Sequence, residues 1–169
     1  TIFAAFRPVA NLSNSQRWHR NSILTARTVK EAVVTGLATI QVNEAVYLNE
    51  TPVVTSLELR AHDTIIYPKL APSFYNSYLP TRFGGNLKTP KDIGWYMMNF
   101  CVNPGDYQPS GHFNVSQERE LYLNYVSAVD SNTSLPYIRK DNPINLIVIA
   151  ECINFLLVQN NTAVLRFAT

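Results

Sequence analysis

Charge is scarce in this chain. Only 15% of its 169 residues are Asp, Glu, Lys or Arg, against about 25% in average globular domains. The 14 basic and 12 acidic side chains are interspersed, giving a net charge of +2. Without a clustered basic face the chain does not read as a nucleic-acid binder, which must neutralise phosphates. Low charge beside 46% hydrophobic residues equally excludes disorder, which needs the opposite balance. Histidine is rare: His19, His62 and His112 stand far apart, none within metal-ligand spacing of another. Cys101 and Cys152 are the only cysteines. Both lie in apolar runs and read as buried, free thiols of a reducing compartment; two thiols alone make no zinc site, and nothing supports a disulfide between them.

Long hydrophobic runs are lacking too. The longest, Ile144 to Val158, is broken by Asn145, Glu151 and Asn154 and is too short to span a bilayer, so no membrane insertion is expected. No secretory leader or initiating methionine opens the chain, and the apolar run Ile2 to Phe6 looks like a strand cut from a longer protein. Helix signals are thin. Thr28-Val29-Lys30-Glu31 has capping-box spacing and predicts one or two turns ending by Gly36. Ser73 to Tyr78, between Pro72 and Pro80, predicts another short turn.

What is present is a period of two. Ile40, Val42, Val46 and Leu48 share one face of a segment from Thr39 to Leu48, with Glu44 breaking the set. Val53, Leu57, Leu59 and Ala61 alternate with Ser56, Glu58, Arg60 and His62. Such alternation marks half-buried antiparallel strands, with turn chemistry at Asn49-Glu50-Thr51-Pro52 between them. Trp95 to Val102 is apolar on both faces, as a strand between layers would be. Phe113 to Ser127 reads as a strand with a bulge or bend at its polar middle, Ser116 to Glu120. Phe155 to Val158, Asn160-Asn161 and Ala163 to Phe167 read as a hairpin, because asparagine tolerates the left-handed dihedrals of tight turns. The ten prolines fall in connections. Many strands, long loops and almost no helix describe one all-β domain: an antiparallel β-sandwich of jelly-roll type.

No constellation of reactive groups emerges. Cys101, Asp106 and His112 are close in sequence, but a cysteine inside an apolar run is an inert thiol. Glu118 and Glu120 share a strand face, yet Arg119 and polar surroundings make that an exposed edge. Phe83-Gly84-Gly85-Asn86 lacks the spacing and lysine of a phosphate loop and reads as a backbone-driven turn. The densest basic run, Arg17-Trp18-His19-Arg20 with Arg27 and Lys30 nearby, reads as a solvated loop before it reads as a phosphate or glycan site. Asn-x-Ser/Thr sequons begin at Asn11, Asn49, Asn114, Asn132 and Asn160, as expected by chance in a chain rich in these residues. No catalytic residue, cofactor-binding residue or metal ligand is therefore assigned, and no cofactor is expected.

The most informative stretch is Tyr107-Gln108-Pro109-Ser110-Gly111-His112-Phe113-Asn114-Val115-Ser116-Gln117, a Pro-Ser-Gly corner expected between two apolar strands. With Arg82-Phe83-Gly84-Gly85-Asn86, Lys88-Thr89-Pro90, Ile153 to Leu157 and Ala163 to Phe167, it resembles the major capsid proteins of nucleocytoplasmic large DNA viruses. The likeness is greatest to the branch of African swine fever virus and the giant viruses of amoebae. It is strong from Pro68 to Thr169; before that it rests on spacing and on Trp18-His19. The resemblance implies a double jelly roll, of which residues 1–169 would be the C-terminal portion of the second jelly roll. It further implies a homotrimer forming pseudo-hexagonal capsomers of an icosahedral shell. Neighbouring capsomers and minor capsid proteins would be partners, without direct nucleic-acid contact, and assembly would take place in the host cytoplasm. The alternative is a carbohydrate- or receptor-binding jelly roll, for which Trp18, Tyr75 and Tyr78 are the obvious aromatic platform.

Overall fold

The computed structural model describes residues 1–13, 17–35, 39–115, 118 and 120–166. Two three-stranded antiparallel sheets form its body. In the first, β1 (Ile2–Pro8) lies between β6 (Trp95–Met98) and β8 (Ile144–Ala150), with Phe3 opposite both Met97 and Ile149. A central strand covered on both faces needs no alternation. Accordingly Ala4, Ala5 and Phe6 are all buried in sequence. A single helical turn, α1 (Val9–Leu12), follows β1.

In the second sheet β4 (Val54–Ala61) lies between β5 (Thr64–Leu70) and β7 (Leu121–Ser127). The expected alternation holds: Leu57, Leu59 and Ala61 are buried. A register shift between Val54 and Ser56 lets Val53 and Val54 both point inward, as a bulge does. The turn into β5 is His62-Asp63, with His62 at φ 48°. His62, expected on a strand face, is thus a turn residue, and β5 is a strand that the sequence pattern did not announce.

The sheets close on one core of Phe6, Leu57, Leu59, Tyr96, Met97 and Met98, joined by Tyr75 and Leu79. Phe6 on β1 meets Tyr96 edge-on at 6.0 Å and Tyr125 on β7 at 5.0 Å, geometries that aromatic pairs favour. The predicted turn at Ser73 to Tyr78 is present as a π-helical turn, Phe74–Tyr78, running into α2 (Leu79–Phe83).

Several expectations are corrected. Residues from Thr28 form no helix; they belong to β2 (Ile23–Thr35), paired along its length with β3 (Thr39–Thr51). The β-branched residues Thr28, Val29, Val33, Val34 and Thr35 outweigh one capping-box match, because branching at Cβ restricts χ1 in a helix and suits a pleated ribbon. Gly36, the proposed stop, lies outside the described residues. β3 runs on to Thr51, so the turn expected at Asn49 to Pro52 is not there. Val46 and Leu48, expected to be half-buried, are 64% and 65% exposed. The strand at Trp95 stops at Met98, and Val102 is 73% exposed. The strand expected from Phe113 starts only at Leu121; Ser116, Gln117 and Arg119 lie outside the described residues.

The last hairpin forms where it was expected, with Phe155 ahead of its first strand rather than in it. β9 (Leu156–Gln159) pairs with β10 (Thr162–Leu165) across Asn160 and Asn161, at φ 50° and 59°. Positive φ at both central residues is what the tight hairpin turn demands. Phe167 lies outside the described residues.

Candidate assembly surface

The residues weighed for chemistry do not converge. Cys101 is half-buried, its Sγ 3.9 Å from the Thr1 hydroxyl, and Cys152 is exposed rather than buried as expected; β8 ends at Ala150, leaving Cys152 in a linker. Asp106 accepts a hydrogen bond from Asn86 Nδ2 at 2.9 Å, while His112 is exposed. Glu118 and Glu120 lie ahead of β7 and share no strand face; Glu120 accepts from the Tyr122 hydroxyl. Among the described residues no three His, Cys, Asp or Glu side chains are grouped to hold a metal. No helix among them is long and apolar enough to cross a membrane.

In the basic run, Arg20 pairs with Glu50, which removes one cation from the patch. The side chains of Arg27 and Lys30 lie outside the described ones. The aromatic platform loses one member. Tyr75 is fully buried, its hydroxyl 3.1 Å from the Leu57 carbonyl and 2.8 Å from that of Pro68. Burial pushes its phenol up to about 12, so it stays a neutral donor. Tyr78 stacks on Phe74 at 5.3 Å but stays 52% exposed, and Trp18 is exposed beside His19, so only Tyr75 is withdrawn from the expected set.

The Pro-Ser-Gly stretch does form a corner, though strands do not flank it directly. Gly111 adopts φ 142°, and a Cβ there would come 3.3 Å from the Phe100 carbonyl oxygen. The Ser110 Oγ accepts from the Asn103 amide at 2.8 Å, and Phe113 stacks on Phe100 at 5.2 Å. The corner folds the chain back over the end of β6 and fixes where the path to β7 begins.

The informative geometry is an asymmetry between the two flanks of the sandwich. On one flank Tyr67 of β5 meets Phe100, just beyond β6, and its hydroxyl donates to the Asn99 carbonyl at 2.7 Å. The helical segment closes this side, with Asn76 Nδ2 donating to the Asp92 and Trp95 carbonyls. The other flank is bounded by β7 and β8, each hydrogen-bonded to one neighbour only. There Tyr122, Tyr125, Val126, Leu146, Val148 and Ile149 are between 41% and 54% exposed. β8, Ile-Asn-Leu-Ile-Val-Ile-Ala, carries no charge and no proline. Natural edge strands are blunted by such residues, since an unpaired apolar edge recruits other strands. A bare flank of this kind calls for further structure to cover it.

Beside it, residues 128–142 form a self-bonded loop. Asp130 accepts from the Asn132 amide at 3.0 Å, the Thr133 hydroxyl at 3.1 Å and Arg139 at 3.1 Å; Arg139 also reaches Asp141 at 2.8 Å. The Asn132 amide first, then Arg139, hold the Asp130 carboxyl below its usual range, and Arg139 does the same for Asp141. A depressed carboxylate pKa stabilises the folded loop above the unfolded value, about 4, and that stabilisation is lost as pH falls through the folded value. Amide protection in 128–142, corrected for intrinsic exchange, should stay flat from neutrality down to about pH 5 and drop below about pH 4. Arg139→Gln should lower it already at neutral pH; unchanged protection in that variant would show that the charges do not hold the loop.

Residues 11–164 match the family model described as large eukaryotic DNA virus major capsid protein. Hexon protein p72 of a Malawi tick isolate of African swine fever virus is 38% identical over 130 residues, which cover 76% of this chain and 19% of that protein. The hexon protein p72 of the Vero-adapted Badajoz strain is 39% identical over 120 residues, covering 70% and 17%. Among solved structures the Faustovirus major capsid protein superposes with a TM-score of 0.63 at 26% identity, over 88% of this chain and 29% of that one. The chain thus spans about a fifth of the length of the curated relatives it matches. The family match begins at residue 11, well before the Pro68 at which the resemblance becomes strong.

Proposed function

Because the chain belongs to the large eukaryotic DNA virus major capsid protein family, we propose that it is the C-terminal portion of the second jelly-roll domain of a capsid subunit that trimerises. The family is one of structural proteins of the virion shell, not of enzymes, and its members assemble with copies of themselves. In this reading three subunits form a pseudo-hexagonal capsomer, assembled in the host cytoplasm. Neighbouring capsomers and minor capsid proteins meet its loops, and it contributes no catalytic, cofactor-binding or metal-binding residue. Nucleic acid is not contacted directly.

The observation that carries this reading is the bare β7–β8 flank. Six half-exposed apolar side chains on two unpaired edges are unstable against water and make sense only as the cut face of a larger body. The test is light scattering of the full-length polypeptide. Its molar mass should be three times that of one chain across the micromolar range, and a monomer throughout would overturn the proposal.

A further inference from the structure

Five buried side-chain polar atoms find no hydrogen-bond partner among the described residues. Two of them, Arg7 Nε and Arg60 Nε, belong to residues that are only partly buried. The other three are Asn21 Oδ1, Ser22 Oγ and the Tyr96 hydroxyl, on residues 3%, 0% and 1% exposed. Native interiors nearly always pair such atoms, with protein or with ordered water. The three share one neighbourhood. Asn21 lies against Gly94, where an added Cβ would meet its carbonyl oxygen at 2.0 Å and its own Cβ at 2.7 Å. Ser22 follows Asn21 directly, and Tyr96 stands two residues beyond Gly94 on β6. The Asp92 carboxylate sits among them: Oδ2 accepts from the Asn21 amide and from Asn21 Nδ2, and Oδ1 accepts from the Gly94 amide. Tyr96 feels the same carboxylate, since burial first and then the Asp92 charge raise its phenol above the usual range.

We propose that Asn21 Oδ1, Ser22 Oγ and the Tyr96 hydroxyl converge on one internal water molecule. The chemistry of the set selects water. Asn21 Nδ2 is spent on Asp92, so Oδ1 can only accept and needs a donor, whereas each hydroxyl can donate or accept. A water donates to Oδ1 and to one hydroxyl and accepts from the other. Those three bonds are the usual number for a buried water. Both Asp92 oxygens already accept hydrogen bonds, which leaves a metal cation three neutral oxygens and no carboxylate of its own. The water joins the segment ahead of β2 to β6 through the interior, a link that does not depend on the capsid reading.

The experiment is calorimetry of the full-length protein carrying Tyr96→Phe, Ser22→Ala or both. Each substitution keeps the side chain's shape or shrinks it by one oxygen, so packing is little disturbed. Each single variant should lower the unfolding midpoint by about 2–4 °C, the effect of losing one buried hydrogen bond. The double variant should fall by clearly less than the sum, because the second loss strikes a water that the first has already loosened. A midpoint unchanged or raised in either single variant would overturn the proposal, since it would mean the hydroxyl was bonded to nothing. Additive losses would overturn it too, by separating the sites. A wild-type midpoint that differs between sodium and potassium chloride at equal ionic strength would give the site to a cation instead. Should either variant fail to fold, a high-resolution map of the wild-type protein decides: density within about 3 Å of all three oxygens supports the water, and its absence overturns it.

Discussion

Gly94→Ala should lower the thermal stability of the full-length protein more than any other single methyl addition in this segment. The residue sits where three connections meet. A Cβ there would lie 2.0 Å from the Asn21 carbonyl oxygen and 2.4 Å from its carbonyl carbon. Neither is the end of a flexible side chain. Asn21 cannot retreat cheaply, because its amide and its Nδ2 both donate to Asp92 Oδ2, at 2.7 and 2.9 Å. Asp92 in turn accepts from the Gly94 amide at 2.9 Å through Oδ1 and from Asn76 through its carbonyl. Relieving the clash breaks part of this network and leaves buried polar groups unpaired. Overpacking costs about 1–3 kcal/mol and each orphaned buried group about 1–3 more. A loss of about 3 kcal/mol corresponds to a Tm drop of roughly 6–12 °C in a domain of this size. A drop under about 1 °C in calorimetry would refute the argument that this contact is rigid.

Val148→Lys should be as damaging, for a reason the isolated segment hides. Val148 is 54% exposed, and substitutions at exposed positions ordinarily change stability by about 0.5 kcal/mol or less. If the β7–β8 flank is an internal face of the whole subunit, the lysine ammonium is forced into apolar surroundings without a partner, which costs several kcal/mol. The full-length variant should therefore lose its soluble, folded yield. Thr89→Lys, in the exposed loop that meets α2 on the other side, serves as the control and should express normally. Normal folding of Val148→Lys would mean the flank is open to water in the intact subunit, and the covering argument would fail.

The parts of the fold legible in the sequence are those whose causes are local. β4 declares itself by alternation, the central β1 by an unbroken apolar run, and the last hairpin by an Asn-Asn turn that accepts positive φ. The Gly111 corner is legible for the same reason, as only certain residues fit such dihedrals. β5 was not, because Pro68 and Lys69 interrupt its pattern and its His62-Asp63 turn carries neither glycine nor proline to announce it. The capping-box spacing at Thr28 misled because a two-residue match carries little energy beside the β-branched run around it. Tyr75 looked like a loop aromatic between two prolines; its place in the core comes from carbonyls of β4 and β5, 18 and 7 residues away in sequence.

Composition and periodicity by themselves determined that this chain is a weakly charged, mostly β segment, since these follow from residue type and spacing alone; its capsid kinship was legible only through the resemblance of its Pro-Ser-Gly stretch. Which flank of the sandwich is plugged and which is bare was decided only in three dimensions. Half-exposed Val148 and fully buried Met98 belong to equally apolar strands, and only the pairing of β8 and β6 about β1, and the helical segment lying on one side, tells them apart. Strand edges are a property of neighbours, and neighbours in a sheet are not neighbours in the chain.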